Sequence, residues 1–324
     1  MDTTTNARVP TGLVIDRPSV AEMLVAIGQA ETRGVPAVWS TIAGIGPDPL
    51  TVYGAAAVQT HRINLGTAII PTYPRHPAAL AAQVLALDAL APGRLRLGLG
   101  PSHQFIIRDM YGLAFDRPLE HLREYLTVLR GLLWEGAVDY KGTHYRVKAR
   151  LAGGTPPPRV PLPISALRAP AFRLAGEIAD GAISWLCPVP YLLETAVPAL
   201  REGAASAGRP VPPLIGHILV AMHTDADAVR HATRAQFGRY ARAVFYARMF
   251  ADAGVPAAPD GTMPDALVDA LVVSGDATTV TARLRAIHAA GVDELLVSPV
   301  TVTDGEQEVA ALSRLLAGLG KDSE

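Results

Sequence analysis

The stretch RINLGTAIIPTYPRHP, residues 62–77, begins as a buried strand and ends as a segment that no strand should contain. Ile63, Leu65, Ala68, Ile69 and Ile70 are apolar, and prolines follow at positions 71, 74 and 77. Proline carries no amide hydrogen and is confined to the edges, first residues or bulges of sheets. Regular pairing is therefore expected to end at or before Pro71, with the remainder a loop leaving the strand. Apolar side chains on both faces of 63–69 fit a strand covered on both sides, as in a parallel sheet flanked by helices.

Working outward, short apolar runs alternate with amphipathic helical ones. TGLVI (11–15) reads as a strand. SVAEMLVAIGQAETRG (19–34) reads as a helix that starts at Ser19 as N-cap, with Glu22 three residues on, and ends at Gly34. PAVWS (36–40) is the next strand, and DPLTVYGAAAVQ (48–59) a helix capped by Asp48 with Pro49 in its first position. Beyond the quoted stretch come helix 77–91, strand GRLRLGLG (93–100) and helix 118–136. In the last of these Leu119, Leu122, Leu126, Leu129 and Leu133 recur at helical spacing. VDYKGTHYRVKAR (138–150) alternates around Lys141-Gly142 as a β-hairpin, and GGTPPPRVP (153–161) is a Pro/Gly loop. Together 138–161 form an insertion after the fourth βα unit. Alternation resumes with strand 162–167, helix 169–179, strand 181–185, helix 189–207 and strand 213–222. A polar helical region (226–253), a loop, helix 276–290, strand 294–299 and a final helix 304–319 complete the chain.

Eight strands with helices between them make an α/β chain, and eight parallel strands close most naturally into one (β/α)8 barrel, a TIM barrel with insertions, as a single domain over 1–324. Hydrophobic residues make up 49% and charged ones 18%, enough apolar material for a large core. A net charge of -1, with basic residues scattered, speaks against a dedicated nucleic-acid or membrane-surface protein. The single cysteine, Cys187, excludes an internal disulfide and a cysteine-rich metal site. MDTTTNARVP lacks the basic start and apolar core of a signal peptide. No apolar run approaches the ~20 residues of a membrane span, so a cytoplasmic location is expected.

Several chemistries are absent. GLGPSH (98–103) has two glycines of a dinucleotide fingerprint, but the third is missing and a proline intrudes. There is no Walker loop, no His-x-His pair ending a strand and no Gly-x-Ser-x-Gly elbow. His121 and Glu124 lie one helical turn apart and are expected on the wet face of their helix rather than on a metal; no metal site is expected. Cys187 follows a strand end, yet a buried inert thiol is its plainer reading.

LGTAIIPTYPRHP resembles the luciferase-like barrel flavoproteins, in particular those using the deazaflavin coenzyme F-420. The matching residues are Gly66-Thr67-Ala68-Ile69, then Tyr73, Arg75, His76 and Pro77. APGRLRLGLGPSHQF is similar to the family's fourth strand, with GLGPSH at its mouth, and DRPLEHLREYLTVLRGLL to the helix after it. FRLAGEIADGAISW resembles the passage from the fifth helix to the sixth strand, and VSGDATTVTARLRAIHAAGVDELLVS the closing unit. The resemblance implies a bulge ending the third strand, with a cis peptide between Ala68 and Ile69 that backs the central ring of the coenzyme. It implies a slot for that ring between Ala68-Ile69 and Gly100, Pro101, Ser102 and His103. It also implies a phosphate held by backbone amides within 165–177, around Leu167, Arg168 and Ala169, where a helix N-terminus offers free donors.

The chain departs from the family pattern at two places. Arg168-Ala169 stands where a Gly-Pro turn is usual, and Arg168 either bonds the phosphate or points to solvent. Many deazaflavin-dependent relatives end strand two in Asp or Asp-His; here Trp39, Ser40 and Thr41 stand there, none a competent general acid near neutral pH. His103 either bonds coenzyme or substrate or caps its own loop. His103 and Thr41 are the catalytic candidates, with the proton delivered by water or His103. Trp39 and Trp185, both at strand ends, either wall the substrate pocket or pack the core.

The resemblance thus implies an F-420-dependent oxidoreductase that moves a hydride at C5 of the deazaflavin. Reduction of an activated C=C or C=N bond is favoured over alcohol oxidation, which needs a base at the carbinol. The rivals are a two-component monooxygenase using reduced FMN on the same fold, and a non-catalytic flavin-binding member. Implied partners are a small-molecule substrate, a flavin or deazaflavin reductase that supplies reduced coenzyme, and a second copy in a homodimer, which the apolar composition permits.

Overall fold

The apolar runs become strands in chain order: Thr11–Val14, Ala37–Ser40, Asn64–Thr67 continued by Ile70–Pro71, Leu95–Arg96 continued by Leu99–Gly100, Ile164–Ser165, Ala182–Ile183, Leu214–Ala221 and Glu294–Pro299. These come from a computed structural model, which describes residues 8–42, 44–152 and 156–320. Each strand pairs in parallel with the next. The eighth pairs with the first, Leu295 opposite Thr11. The circle is complete, so the expected barrel closes, with helices between its strands covering the outside. Among the described residues no helix is long and apolar enough to cross a membrane.

The first helix, Val20–Arg33, shows how local signals set its ends. The Ser19 hydroxyl accepts from the Glu22 amide, and Gly34 takes the left-handed conformation (φ 85°) that ends the helix. Asp48 caps Pro49–Ala57 in the same way through the Thr51 amide. His76, part of the Arg-His-Pro run, caps Pro77–Leu90 by accepting from the Ala78 amide.

The Ala68–Ile69 peptide is cis, at a break in the third strand. Residue pairing ends at Pro71, within the expected limit, but only after this break. The strand resumes after the break, with Ile70 N–H donating to the Gly98 carbonyl at 2.8 Å and Thr72 N–H to the Gly100 carbonyl at 3.0 Å. In a ladder alternate residues face a given neighbour, so Pro71 occupies a position whose missing N–H the fourth strand does not need. That fourth strand is itself split, because Gly98 abuts the third strand's break. A Cβ on Gly98 would lie 1.9 Å from the Thr67 carbonyl oxygen.

The hairpin after the fourth unit is present, Ala137–Lys141 antiparallel to Arg146–Arg150. Of the following loop, 153–155 lie outside the described residues. The hairpin corrects the reading of His121 and Glu124, which are only 4% and 5% exposed. Its tip folds onto their helix, Pro118–Arg130, and the Glu124 carboxylate accepts the amides of Thr143, His144 and Tyr145 at 2.7, 2.8 and 2.9 Å. The face that the helix pattern left wet is covered by an insertion.

Two further departures follow strand seven. The polar region 226–253 is a helix (Ala226–Phe237), a 3₁₀ stretch (Gly238–Arg242) and a second helix (Val244–Asp252). The expected loop after it contains a helix, Asp265–Leu271, and a strand, Val272–Ser274, that pairs in parallel with Leu219–Ala221. Strand seven is eight residues long and outruns its sixth-strand partner, which pairs only with Leu214 and Ile215. The short strand covers the edge thus left.

Inside the barrel Val14, Ala37, Trp39, Ile183, Ile215 and Leu296 form a buried layer, with Ala68, Ile69 and Trp185 packed on it. Trp39 is fully buried, and a Cβ on Gly12 or Gly66 of the flanking strands would come within 2.4 Å of its ring. Arg96 lies 4.9 Å over that ring and pairs with Glu294. Trp39 therefore fills the barrel and does not wall a substrate pocket.

Candidate functional site

The C-terminal ends of the strands open into one cavity of about 1410 Å³. Sites for single drug-sized ligands run to roughly 300–1,000 Å³, so this one has room for a coenzyme and a second molecule. Of the residues singled out from the sequence, Thr41, Ala68, Ile69, Pro101, Ser102, His103, Leu167, Arg168 and Trp185 line it. Gly100, Ala169 and Trp39 do not. Gly100 is buried beneath, where a Cβ would lie 2.2 Å from Ser165 Oγ and 3.0 Å from Ile69 Cγ1. Its missing side chain lets Ser165 and Ile69, both on the cavity wall, sit side by side. Ala169 opens the helix Ala169–Ile178 and turns its methyl to the core.

The floor is the half-buried set above the Trp39 layer. Ala68 and Ile69, both half-buried, present apolar side chains to the cavity. Trp185 lies parallel to the His217 imidazole, 3.7 Å away. His217 Nδ1 accepts the Leu186 amide at 3.2 Å, so Nε2 carries the proton and donates to Ser298 Oγ at 2.8 Å. Burial pushes the His217 pKa down to about 3, so the ring is neutral. The buried indole N–H of Trp185 has no partner among the described residues.

His103 presents its imidazole to the cavity between Phe105 and Tyr246, with ring centroids 5.5 and 5.8 Å away. It is the His103 carbonyl, not its ring, that accepts the Ile107 amide at the start of the next helical turn. Burial, and then the nearby Arg239 guanidinium, hold the imidazole pKa below its usual range. Behind this wall Tyr73 stacks on Phe115 and on His121, at 5.2 and 3.8 Å, and donates to the Asp116 carbonyl at 2.9 Å.

Thr41 donates its hydroxyl proton to Asp16 Oδ2 at 2.9 Å. Asp16 also lines the cavity, and sequence reasoning missed it. Its signal was position: it directly follows the run TGLVI, and in a barrel a residue leaving the C-terminal end of a strand faces the site. The same rule points to Arg239, Tyr240 and Tyr246, which follow strand seven, inside a segment the sequence had shown only as polar helix.

Arg168 lines the cavity with its side chain partly exposed. Its Nε donates to Asp252 Oδ2 at 2.6 Å, and both side chains are partly exposed at the cavity edge. The helix that Arg168 precedes has no side-chain cap, and Pro170 and Ala171 of its first turn reach the cavity. Pro170 has no N–H and the Ala171 and Phe172 amides donate to the Arg168 carbonyl at 2.9 and 3.3 Å, so the Arg168 guanidinium is the main anion donor at this helix start. An apolar floor, an arginine at the edge and the volume together leave room for a ring system carrying one phosphate. Cys187 is buried outside this lining, its thiol pushed up to about 12 by burial, and is inert.

The family model described as luciferase-like monooxygenase matches residues 2–294. An F-420-dependent glucose-6-phosphate dehydrogenase of Microbacterium testaceum is 33% identical over 204 residues, a match spanning 60% of this chain and 60% of that relative's length. The 5,10-methylenetetrahydromethanopterin reductase of Methanopyrus kandleri is 26% identical over 330 residues, covering 91% of this chain and 93% of its own. An F-420-dependent secondary alcohol dehydrogenase, solved with an F-420–acetone adduct, superposes with a TM-score of 0.81 over 97% of this chain and 99% of that one. At 18% identity this last likeness is one of fold.

Proposed function

The chain belongs to the luciferase-like monooxygenase family, and we propose that within it this protein is an F-420-dependent oxidoreductase acting on a small organic substrate. One observation carries the reading. The Ala68–Ile69 break forms an apolar ledge on the cavity floor, facing Pro101, Ser102 and His103 of the strand-four mouth. The relatives named as F-420-dependent support the same coenzyme. When bound, the deazaflavin supplies a hydride carrier at its C5.

The protein's own groups bind and orient. Ile69 and Ala68 support a flat ring from below, and His103 bounds it at the side. Arg168 at the start of Ala169–Ile178 holds the phosphate, exchanging its exposed Asp252 partner for it; such exposed pairs are worth only about 0–1 kcal/mol. Asp16 replaces the acid missing from strand two, and Thr41 orients its carboxylate rather than transferring a proton itself. A carboxylate at the mouth supplies the base that carbinol oxidation needs. The ground for ranking alcohol oxidation below C=C or C=N reduction is thereby removed.

Parallel fluorescence titrations with F-420 and FMN test the coenzyme. Tighter binding of F-420 is expected. Tighter FMN binding, with oxygen consumed on reduction, would make the protein a monooxygenase, and binding without turnover of any hydride acceptor or donor would make it a flavin carrier.

A further inference from the structure

Three segments rim the cavity, following strands two, four and seven, and each turns large apolar side chains to it: Ile42, Phe105, Met110, Phe115, Phe245 and Tyr246. They adjoin one another. The rings of Phe115 and Phe245 are 6.5 Å apart, and a Cβ on Gly44 would lie 3.9 Å from Met110 Cε. Phe105, Met110 and Phe245 are nevertheless 59%, 39% and 37% exposed. Contiguous exposed apolar surface costs solubility and marks a binding site where it persists.

The charges on the cavity point the same way. Of the three arginines there, Arg168 is ion-paired with Asp252, while Arg239 lies over the Tyr240 ring at 4.9 Å and donates to the Gln236 carbonyl and Arg17 donates to the Asp16 carbonyl. Asp16, Asp304 and Glu306 add carboxylates to the same lining. With Arg168 assigned above to the coenzyme phosphate, the lining keeps two guanidiniums, Arg17 and Arg239, against three carboxylates, so a phosphorylated substrate would meet no excess of positive charge. What remains for the substrate is a basin walled largely by apolar side chains, with His103 and the Asp16–Thr41 pair among its polar groups.

We infer that the substrate is an uncharged, predominantly apolar organic molecule bearing one oxygen or nitrogen function, and not a sugar phosphate. This rests on reading the cavity as a joint coenzyme and substrate site. The probe is N-phenyl-1-naphthylamine, a neutral apolar fluorophore, titrated into the full chain without coenzyme. Saturable binding to one site is expected. It should weaken about tenfold in a Met110→Ser, Phe245→Ser double variant and withstand millimolar glucose 6-phosphate. Phe105→Ser, at the most exposed of these positions, provides a second variant if the double one misfolds, and should also weaken the probe. Absent binding, binding unchanged in the variants, or displacement by glucose 6-phosphate would overturn the inference. So would sedimentation showing that the variants turn a dimer into monomers, which would make the patch a contact between copies. F-420 is titrated separately into the unsubstituted protein. Loss of F-420 binding with the probe retained defeats the coenzyme reading alone, and the reverse result defeats the apolar-substrate inference alone.

Discussion

Asp16 leaves the first strand directly after Ile15, and the Thr41 hydroxyl fixes its Oδ2 from the neighbouring strand end. A carboxylate oriented in this way can take or return a proton at the reacting atom. Asp16→Asn keeps the shape and removes the basicity, so kcat should fall by about 10²–10⁴-fold, the usual share of general acid–base catalysis, while F-420 affinity stays level. Thr41→Val should cost about tenfold or less, since it loosens the carboxylate without removing it. Stopped-flow absorbance of the deazaflavin reads both. An Asp16→Asn enzyme at full speed would return the proton to His103 or water. Asp16 was legible by position alone, as the residue leaving strand one; its partner lies 25 positions away. His103 and Trp185 were legible as residues at strand mouths; which way their rings turn was not.

At the scale of elements, the helix Pro118–Arg130 and the hairpin behind it form one acid-sensitive unit. His121 Nε2 lies 3.1 Å from Thr72 Oγ1 beneath the hairpin. Burial, then His144, push its pKa down to about 4, against an opposing pull from Glu124. An unfolded histidine titrates near 6.5, so between these values the unfolded chain binds more protons. The stability contributed is therefore full above about pH 6.5 and is lost as pH falls towards 4. His217, held near 3 by burial, extends the loss further. Urea unfolding between pH 7 and 4.5 should show stability dropping with acid, and His121→Gln should flatten that slope by about 1–3 kcal/mol. An unchanged slope in the variant would mean that His121 protonates freely in the folded protein. Helix and hairpin could each be read from periodicity and turn residues. That one covers the other could not, because Glu124 meets amides 19–21 residues on, and helical periodicity reports only a helix's own polarity.

For the whole molecule, barrel closure depends on what fits within it. Gly66 faces the Trp39 ring so closely that an added Cβ would come to 2.4 Å. Gly66→Ala should overpack the interior and cost about 1–3 kcal/mol. Trp39→Phe in the same chain should return part of that loss, a coupling that a double-mutant cycle of unfolding free energies would measure. Additive losses would show that the ring yields without cost. The eight alternating units, the caps, the hairpin and the break at Ala68–Ile69 were all determined by the sequence, as was the end of the barrel where the site lies. Each rests on periodicity and turn chemistry among near neighbours, or on a matched run of residues. The tertiary structure alone decided that Trp39 fills the barrel while Trp185 reaches the cavity, that Pro71 stays in its strand, that Arg168 meets Asp252 84 positions away, and that Asp16 meets Thr41 at the cavity. Successive strand residues point to opposite faces, and which face is inside depends on register with neighbouring strands. Register is a relation between distant segments, and it exists only once they have packed.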